Sequence, residues 1–394
     1  MNAPLPACIV LPDYDGGSIA NLVTSIGAAF GASPAGLATL ALLPPERLRK
    51  KSNVLLLVVD GLGLRYLCDA HPGSTLRQYL RGGVTSVFPS TTATAITTFM
   101  TGLAPAQHGL TGWHMYLEEI DAVGAILPFR TRATEEHLSQ RGLSAAALFD
   151  HAALADRLPV HSTVISPNRI VHSEFNASHA GCAQRLGYGS LAQFFQSIEI
   201  SLRQRHPRSF VYAYYPELDS TAHEYGIASR QCAEVLRRFD DGFARLLSAV
   251  AGYDVTILVC ADHGFVDADP RQRVELDDHP FLDATLAHPL CGEQRVAYAY
   301  VQPDKREAFE AYLRNELAER VMAVESRHAI DAGWFGPGVP HPKLAARVGD
   351  YVLLMQGLGT IKDWMPGEQR YTLVGVHGGV SEQEMLVPLV VVQP

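Results

Sequence analysis

The chain has 394 residues, 47% of them hydrophobic and 19% charged, with a net charge of −9. That composition belongs to a globular protein large enough for more than one core. The acidic balance excludes a broad nucleic-acid surface, which needs positive charge. No apolar run reaches the length of a membrane span.

The six cysteines lie far apart without CxxC spacing. They form neither a disulfide framework nor a thiolate zinc site, so free thiols in a reducing compartment are expected. The N-terminus lacks a basic segment and a long apolar core, so no signal peptide is read there and a cytoplasmic location is expected.

Residues 1–50 are punctuated by Pro and Gly around one amphipathic stretch, Ile19 to Phe30. They read as an arm and helix packed on the main domain. Asn53 to Val59 is an apolar run with the pattern of a strand buried on both faces, ending in Asp60-Gly61. Ligands of open α/β sheets sit beyond the carboxyl ends of the strands, where Asp60 stands.

Phe88 to Gly102 is crowded with hydroxyls. Pro89 sets a turn, and apolar residues at 93, 95, 96, 99 and 100 fit a helix with one buried face. A Thr in its first turn stands where N–H groups are unpaired and the dipole favours negative charge, which suits a phosphate or an alkoxide. The plainer alternative is that Ser90 or Thr91 only caps the helix.

Ala106 to His114 reads as a loop. Ala133–Gln140 and Leu191–Arg203 have helical patterns, and Ala145–Phe149 and Thr163–Ser166 read as strands. Ser209–Tyr215 is a second buried strand, leading into Asp219 and His223, and a long amphipathic helix follows over Ser229–Ala249. Val255–Ala261 is a third buried strand, ending in Asp262-His263-Gly264. Residues 268–370 have a different texture, with strands at Arg295–Val301 and Tyr351–Met355, a helix at Lys305–Glu319 and a surface loop at Gly333–Pro340. His377-Gly378-Gly379 precedes a closing strand, Met385–Val392.

Three predicted strands therefore end in acidic or His-bearing turns. Each alone has a bland reading as a turn former. Together three Asp and three His are donors for two divalent metals, and mixed imidazole and carboxylate ligands suit zinc.

These pieces resemble the alkaline phosphatase superfamily, and most of all its nucleotide pyrophosphatase/phosphodiesterase branch. The matching elements occur in family order: Asp60-Gly61, the Thr92 segment with Thr101-Gly102-Leu103-Ala104-Pro105-Ala106-Gln107-His108-Gly109, Asp219-x-x-x-His223, Ala261-Asp262-His263-Gly264 and His377-Gly378-Gly379. The resemblance covers the chain from about residue 53 onward. It implies an α/β fold, a central mostly parallel sheet flanked by helices, with an inserted cap lobe. The expected division is an arm at 1–50, a catalytic core at 51–267 and 371–394, and a cap at 268–370. It further implies one zinc held by Asp219, His223 and His377, a second held by Asp60, Asp262 and His263, and Thr92 as nucleophile bridging toward the second.

The chain departs from the family pattern at three places. Tyr214 stands where alkaline phosphatases have a magnesium-binding Glu, which favours two metals and a diester. Ala93 replaces an aromatic that stacks on a base. Trp113, with His114 beside it, replaces an Asn that binds a phosphoryl oxygen. Substrate contacts are expected at Ala93, Trp113 and His114. The expected activity is hydrolysis of a small phosphoester through phosphothreonine, with no nucleic-acid duplex or membrane as partner. The alternatives are a monoesterase or phosphonate hydrolase, a two-metal phosphosugar mutase, and a catalytically silent binding domain.

Overall fold

Two sheets organise the chain, which is described by a computed structural model at residue 6 and residues 8–33, 35–204 and 206–394. Residues 1–5, 7 and 34 of the expected arm lie outside the described residues. β1 (Asn53–Val59) and β2 (Leu80–Thr85) come first, then the short strands β3 (His114–Leu117), β4 (Ala122–Ala125) and β5 (Arg130–Thr131). β6 (His161–Pro167), β7 (Gln184–Tyr188), β8 (Ser209–Tyr215) and β9 (Val255–Cys260) follow. Next are β10 (Val266–Asp267), β11 (Arg273–Glu275), β12 (Leu286–Gly292), β13 (Val296–Val301), β14 (Val321–Glu325) and β15 (Tyr351–Met355). β16 (Thr360–Lys362), β17 (Gly375–Val376) and β18 (Leu386–Val392) are the last.

The first sheet has the order β2-β18-β9-β1-β8-β6-β7. Its strands are parallel except β18, which runs antiparallel to β9 and β2. This is the mostly parallel α/β sheet expected. Val54–Val59 and all of β8 and β9 are buried, so the apolar runs do what two-sided burial requires. Each buried Val or Leu contributes roughly 1.5–3 kcal/mol. The helix Ile19–Phe30 has the predicted bounds. Ser18 and Asn21 form a reciprocal cap at its start, and Gly31 ends it at φ +91°. It packs on the helix Thr92–Thr101, and the helix Leu191–Arg203 packs on Arg230–Ala249.

The second sheet is antiparallel, in the order β14-β15-β13-β12-β3-β4-β5. It combines strands from residues 286–355 with strands from residues 114–131. β12 meets β3 where Gly292 pairs with His114.

Four local expectations are corrected. Ala145–Leu148 is a helical turn capped by Ser144, not a strand; three consecutive Ala favour helix over sheet. Ala133–Gln140 is not a helix. The Thr131 N–H bonds Glu136 O, the Thr131 and Thr134 hydroxyls meet at 2.7 Å, and Glu135 has φ +51°, so local bonds displace helical ones. The Gly333–Pro340 segment is not a plain surface loop, because Trp334 and Phe335 are buried edge-on against Phe88, with ring centroids at 5.4 and 5.1 Å. Pro105–His108 is likewise a helical turn inside the expected loop, started by its Pro.

Candidate active site

Strand register brings the acidic turns together. β1 pairs with β9 through Val58 and Cys260, and with β8 through Val59 and Tyr215. The ladder continues into Asp60, whose N–H donates to Tyr215 O at 3.0 Å. Asp262 lies beside it, its Oδ1 accepting from Gly61 N–H at 3.1 Å and His263 N–H at 3.0 Å. The helix Glu217–Tyr225 starts directly after β8 and places Asp219 and His223 one turn apart, with His223 Nε2 3.4 Å from Asp219 Oδ1. His377 follows β17, which pairs with β10 just beyond His263. Its Nε2 lies 3.7 Å from Asp219 Oδ1, and its ring stacks on His263 at 3.7 Å.

The three imidazoles are oriented alike. Nδ1 of His223 faces Gly375 O at 2.9 Å, that of His263 faces Gly264 O at 3.0 Å, and that of His377 faces Ser90 O at 3.4 Å. A proton on Nδ1 leaves each Nε2 lone pair directed at the carboxylates, the arrangement that metal-ligating His residues use. His263 Nε2 sits at the centre, 3.3 Å from Asp60 Oδ1, 3.5 Å from Asp262 Oδ2 and 3.1 Å from the Thr92 hydroxyl.

Asp60 Oδ1, Asp219 Oδ1 and Asp262 Oδ2 are buried without a hydrogen-bond partner. Unpaired buried carboxylate oxygens are costly unless a cation meets them. Two compact groups of donor atoms, Asp219–His263–His377 and Asp60–Asp262–His263, each lie within 4.8 Å of one another. Oxygen and imidazole nitrogen at this spacing fit divalent cations. The first group contains His263 rather than the expected His223, which is anchored to Gly375 and reaches the group through Asp219.

Burial pushes the Asp60 carboxyl well above its usual range, and the charges of Asp219 and Asp262 add to this. Burial also raises Asp219, against the opposing pull of His223 and His263. Burial, with His263 and His223 beside it, holds His377 well below the usual imidazole range. Neutral bases and crowded carboxylates are the electrostatics of a cation site. Tyr214, in place of a further carboxylate, donates its hydroxyl to Asp60 Oδ2.

Thr92 is the first residue of the helix Thr92–Thr101. The capping alternative fails for its neighbours. Ser90 donates to Gly379 O at 2.7 Å, and Thr91, although in the cap position, donates instead to Glu293 Oε1 at 2.5 Å. The first-turn N–H groups therefore have no side-chain cap.

A cavity of about 1040 Å³ opens over this floor, where Thr92, Asp219, His223 and His377 line it. Trp113 and His114 are on its wall. Burial, then Arg132 and Lys362, hold His114 well below the usual imidazole range. Ala93 is fully buried and is not part of the wall, so its side chain offers no surface to a substrate. A methyl at the second helical position turns into the core, as the helix period requires.

Glu293, Arg132 and Lys362 also line the cavity and were missed. Arg132 pairs with Asp363 at 2.8 Å and Glu368 at 2.9 Å, and Lys362 with Glu368 at 3.1 Å. No local pattern marks them: Glu293 stands in a hairpin turn and Arg132 among polar residues. The His377 loop is held from outside the cavity. Arg295 Nε and Nη2 grip Glu384 at 3.1 and 3.0 Å, and Glu384 accepts from Gly379 N–H at 2.8 Å.

A family model described as type I phosphodiesterase/nucleotide pyrophosphatase matches residues 54–379. Among curated proteins no relative is found. The fold is similar to murine ectonucleotide pyrophosphatase/phosphodiesterase 5, with a TM-score of 0.65 at 18% identity, over 86% of this chain and 88% of that one. An inactive threonine-to-alanine variant of the murine protein in complex with AMP gives a TM-score of 0.64 at 18% identity, over 86% and 87%. Phosphonoacetate hydrolase from Sinorhizobium meliloti 1021, in complex with phosphonoformate, gives 0.61 at 17% identity, over 87% and 90%.

Proposed function

The chain belongs to the type I phosphodiesterase/nucleotide pyrophosphatase family, and we propose that it is a two-metal phosphodiesterase or pyrophosphatase acting through a covalent phosphothreonine at Thr92. The observation that carries this reading is the convergence on the cavity floor: a helix-initiating hydroxyl 3.1 Å from His263 Nε2, beside three buried carboxylate oxygens without partners.

In this reading Asp219 and His377, with His223 beside Asp219, would hold one cation and Asp60, Asp262 and His263 the other, and the Thr92 hydroxyl lies beside His263. Two divalent cations, zinc by donor type, would lower the pKa of the Thr92 hydroxyl and offset charge on the transferred phosphoryl group. Thr92 Oγ gives its proton to solvent and attacks phosphorus, the bond from phosphorus to the leaving oxygen breaks, and the alcohol or phosphate departs with that electron pair and takes up one proton from solvent, so that none is gained or lost. Water then cleaves the phosphothreonine and restores the hydroxyl. The uncapped N–H groups of Thr92 and Ala93 are placed to receive phosphoryl oxygens. The expected cap, residues 268–370, would set specificity together with β3–β5, which join its sheet. The inactive Thr→Ala variant of the murine protein supports a threonine in the central role.

A phosphonate hydrolase or monoesterase is the second reading. It is favoured by the likeness to phosphonoacetate hydrolase. No helix among the described residues is long and apolar enough to cross a membrane. The cysteines are free in the structure, which supports the cytoplasmic location, and fractionation of cells making the intact protein tests it. For the activity, Thr92→Ala is to keep both metals by elemental analysis and lose turnover on p-nitrophenyl phosphate, phenylphosphonate and diester substrates. Near-normal turnover sinks the nucleophile assignment, and product lacking oxygen from water points to a mutase.

A further inference from the structure

Resting on the phosphoester reading above, we propose that Glu293 makes this site prefer monoanionic phosphodiesters over dianionic monoesters. Glu293 occupies the turn between β12 and β13, its N–H bonded to Val296 O at 2.8 Å. Three contacts fix its side chain against the reaction centre. Oε1 accepts the Thr91 hydroxyl at 2.5 Å and the Trp113 N–H at 2.9 Å. Its Cβ lies against Gly378, directly after His377, where any side chain would approach to 2.8 Å and where φ is +103°. The carboxylate is thus clamped between the turn that presents Thr92, the Trp113 wall and the His377 loop.

Its charge is not cancelled by the protein. Among the described residues Glu293 forms no salt bridge, whereas Asp363 and Glu368 of the same cavity are paired with Arg132 and Lys362. Its Oε2 takes no hydrogen bond from a described residue, and the residue lines the cavity beside Thr92, His223 and His377. A diester carries one negative charge. A monoester carries close to two above its second pKa, about 6. A fixed carboxylate beside the phosphoryl position penalises the second charge in a site of low dielectric. Burial raises the Glu293 carboxyl, while the Thr91 and Trp113 hydrogen bonds and the rings of His223 and His263 lower it; all of these are common to both substrates, so they do not alter the ratio between them.

The test compares kcat/KM for p-nitrophenyl phosphate and bis(p-nitrophenyl) phosphate in the metal-loaded enzyme at about pH 8.5, above the carboxylate range. Glu293→Gln keeps the acceptor oxygen and the shape but removes the charge, and is expected to raise the monoester-to-diester ratio about ten-fold or more. Thr91→Val breaks the same clamp and keeps the charge, and is expected to leave the ratio within about two-fold. An unchanged ratio in Glu293→Gln, equal shifts in both variants, or loss of a metal ion from Glu293→Gln overturns the proposal. A wild-type enzyme inert on both esters, or a Thr92→Ala variant that still turns over, overturns the reading on which it rests.

Discussion

Glu384 and Asp60 are both fully buried carboxylates, and they are partnered in opposite ways. Glu384 receives the Arg295 guanidinium on both oxygens, the Gly379 N–H and the Ser381 hydroxyl. Burial works to raise its pKa, yet the Arg295 charge and these bonds bring it below the usual range. Asp60 receives one hydroxyl, faces two other carboxylates, and keeps one oxygen without a partner. A satisfied buried charge holds a fold together. An unsatisfied cluster of like charges marks where something from solution belongs.

The comparison can be broken most sharply at Asp60. Asp60→Asn is expected to release a cation and cut turnover about 10⁴-fold, roughly 5.5 kcal/mol of barrier, while raising the melting temperature of the metal-free protein because one like charge is gone. Melts in chelator that show the variant no more stable than wild type contradict the cluster reading. Glu384→Ala has the reverse signature. It leaves Arg295 buried and unpaired and is expected to cost about 3–5 kcal/mol of stability, with or without metal, in denaturant titration.

Chelation of the wild type gives a third measure. Removing metal present at about 100 times its Kd should lower stability by about 2.7 kcal/mol, with full recovery on adding zinc. No change in the melt would mean that the buried oxygens bind nothing.

The smallest effect comes from buried bases away from the site. Burial holds His151 down to about 4 and His179 down to about 3, against an ordinary value of 6.5, and their Nε2 atoms meet at 3.0 Å. Folded pKa values below the unfolded one mean that the stabilisation is complete above about pH 6.5. It is lost progressively as pH falls from about 6.5 to the folded values of about 4 and about 3. His151→Gln should flatten that part of the stability-versus-pH curve, and an unchanged slope removes His151 from the account.

Much of the floor could be read from residues. β1, β8 and β9 are continuous apolar runs, and Asp60, Asp219 and Asp262 follow them closely, so periodicity and the strand-end rule sufficed. The wall could not be read. β3 pairs with β12 across almost two hundred residues, and no local pattern announces such a partner. Glu293 is a polar residue in a hairpin turn, which is what turns ordinarily contain. Thr91 occupies a cap position with cap dihedrals yet spends its hydroxyl on Glu293, a choice made by tertiary contact alone. Ala145–Phe149 was misread because short apolar runs fit either strand or helix.

β18 lies between β9 and β2. During synthesis β2 emerges early but has no place in the sheet until some three hundred further residues have been made. The nascent chain must therefore carry an open β9 edge and three crowded carboxylates while about 125 further residues are made, and His377 reaches them only shortly before β18 closes the gap. Such a long-range topology makes folding slow and late rather than progressive, and it ties assembly of the reaction centre to the same moment at which the sheet becomes whole.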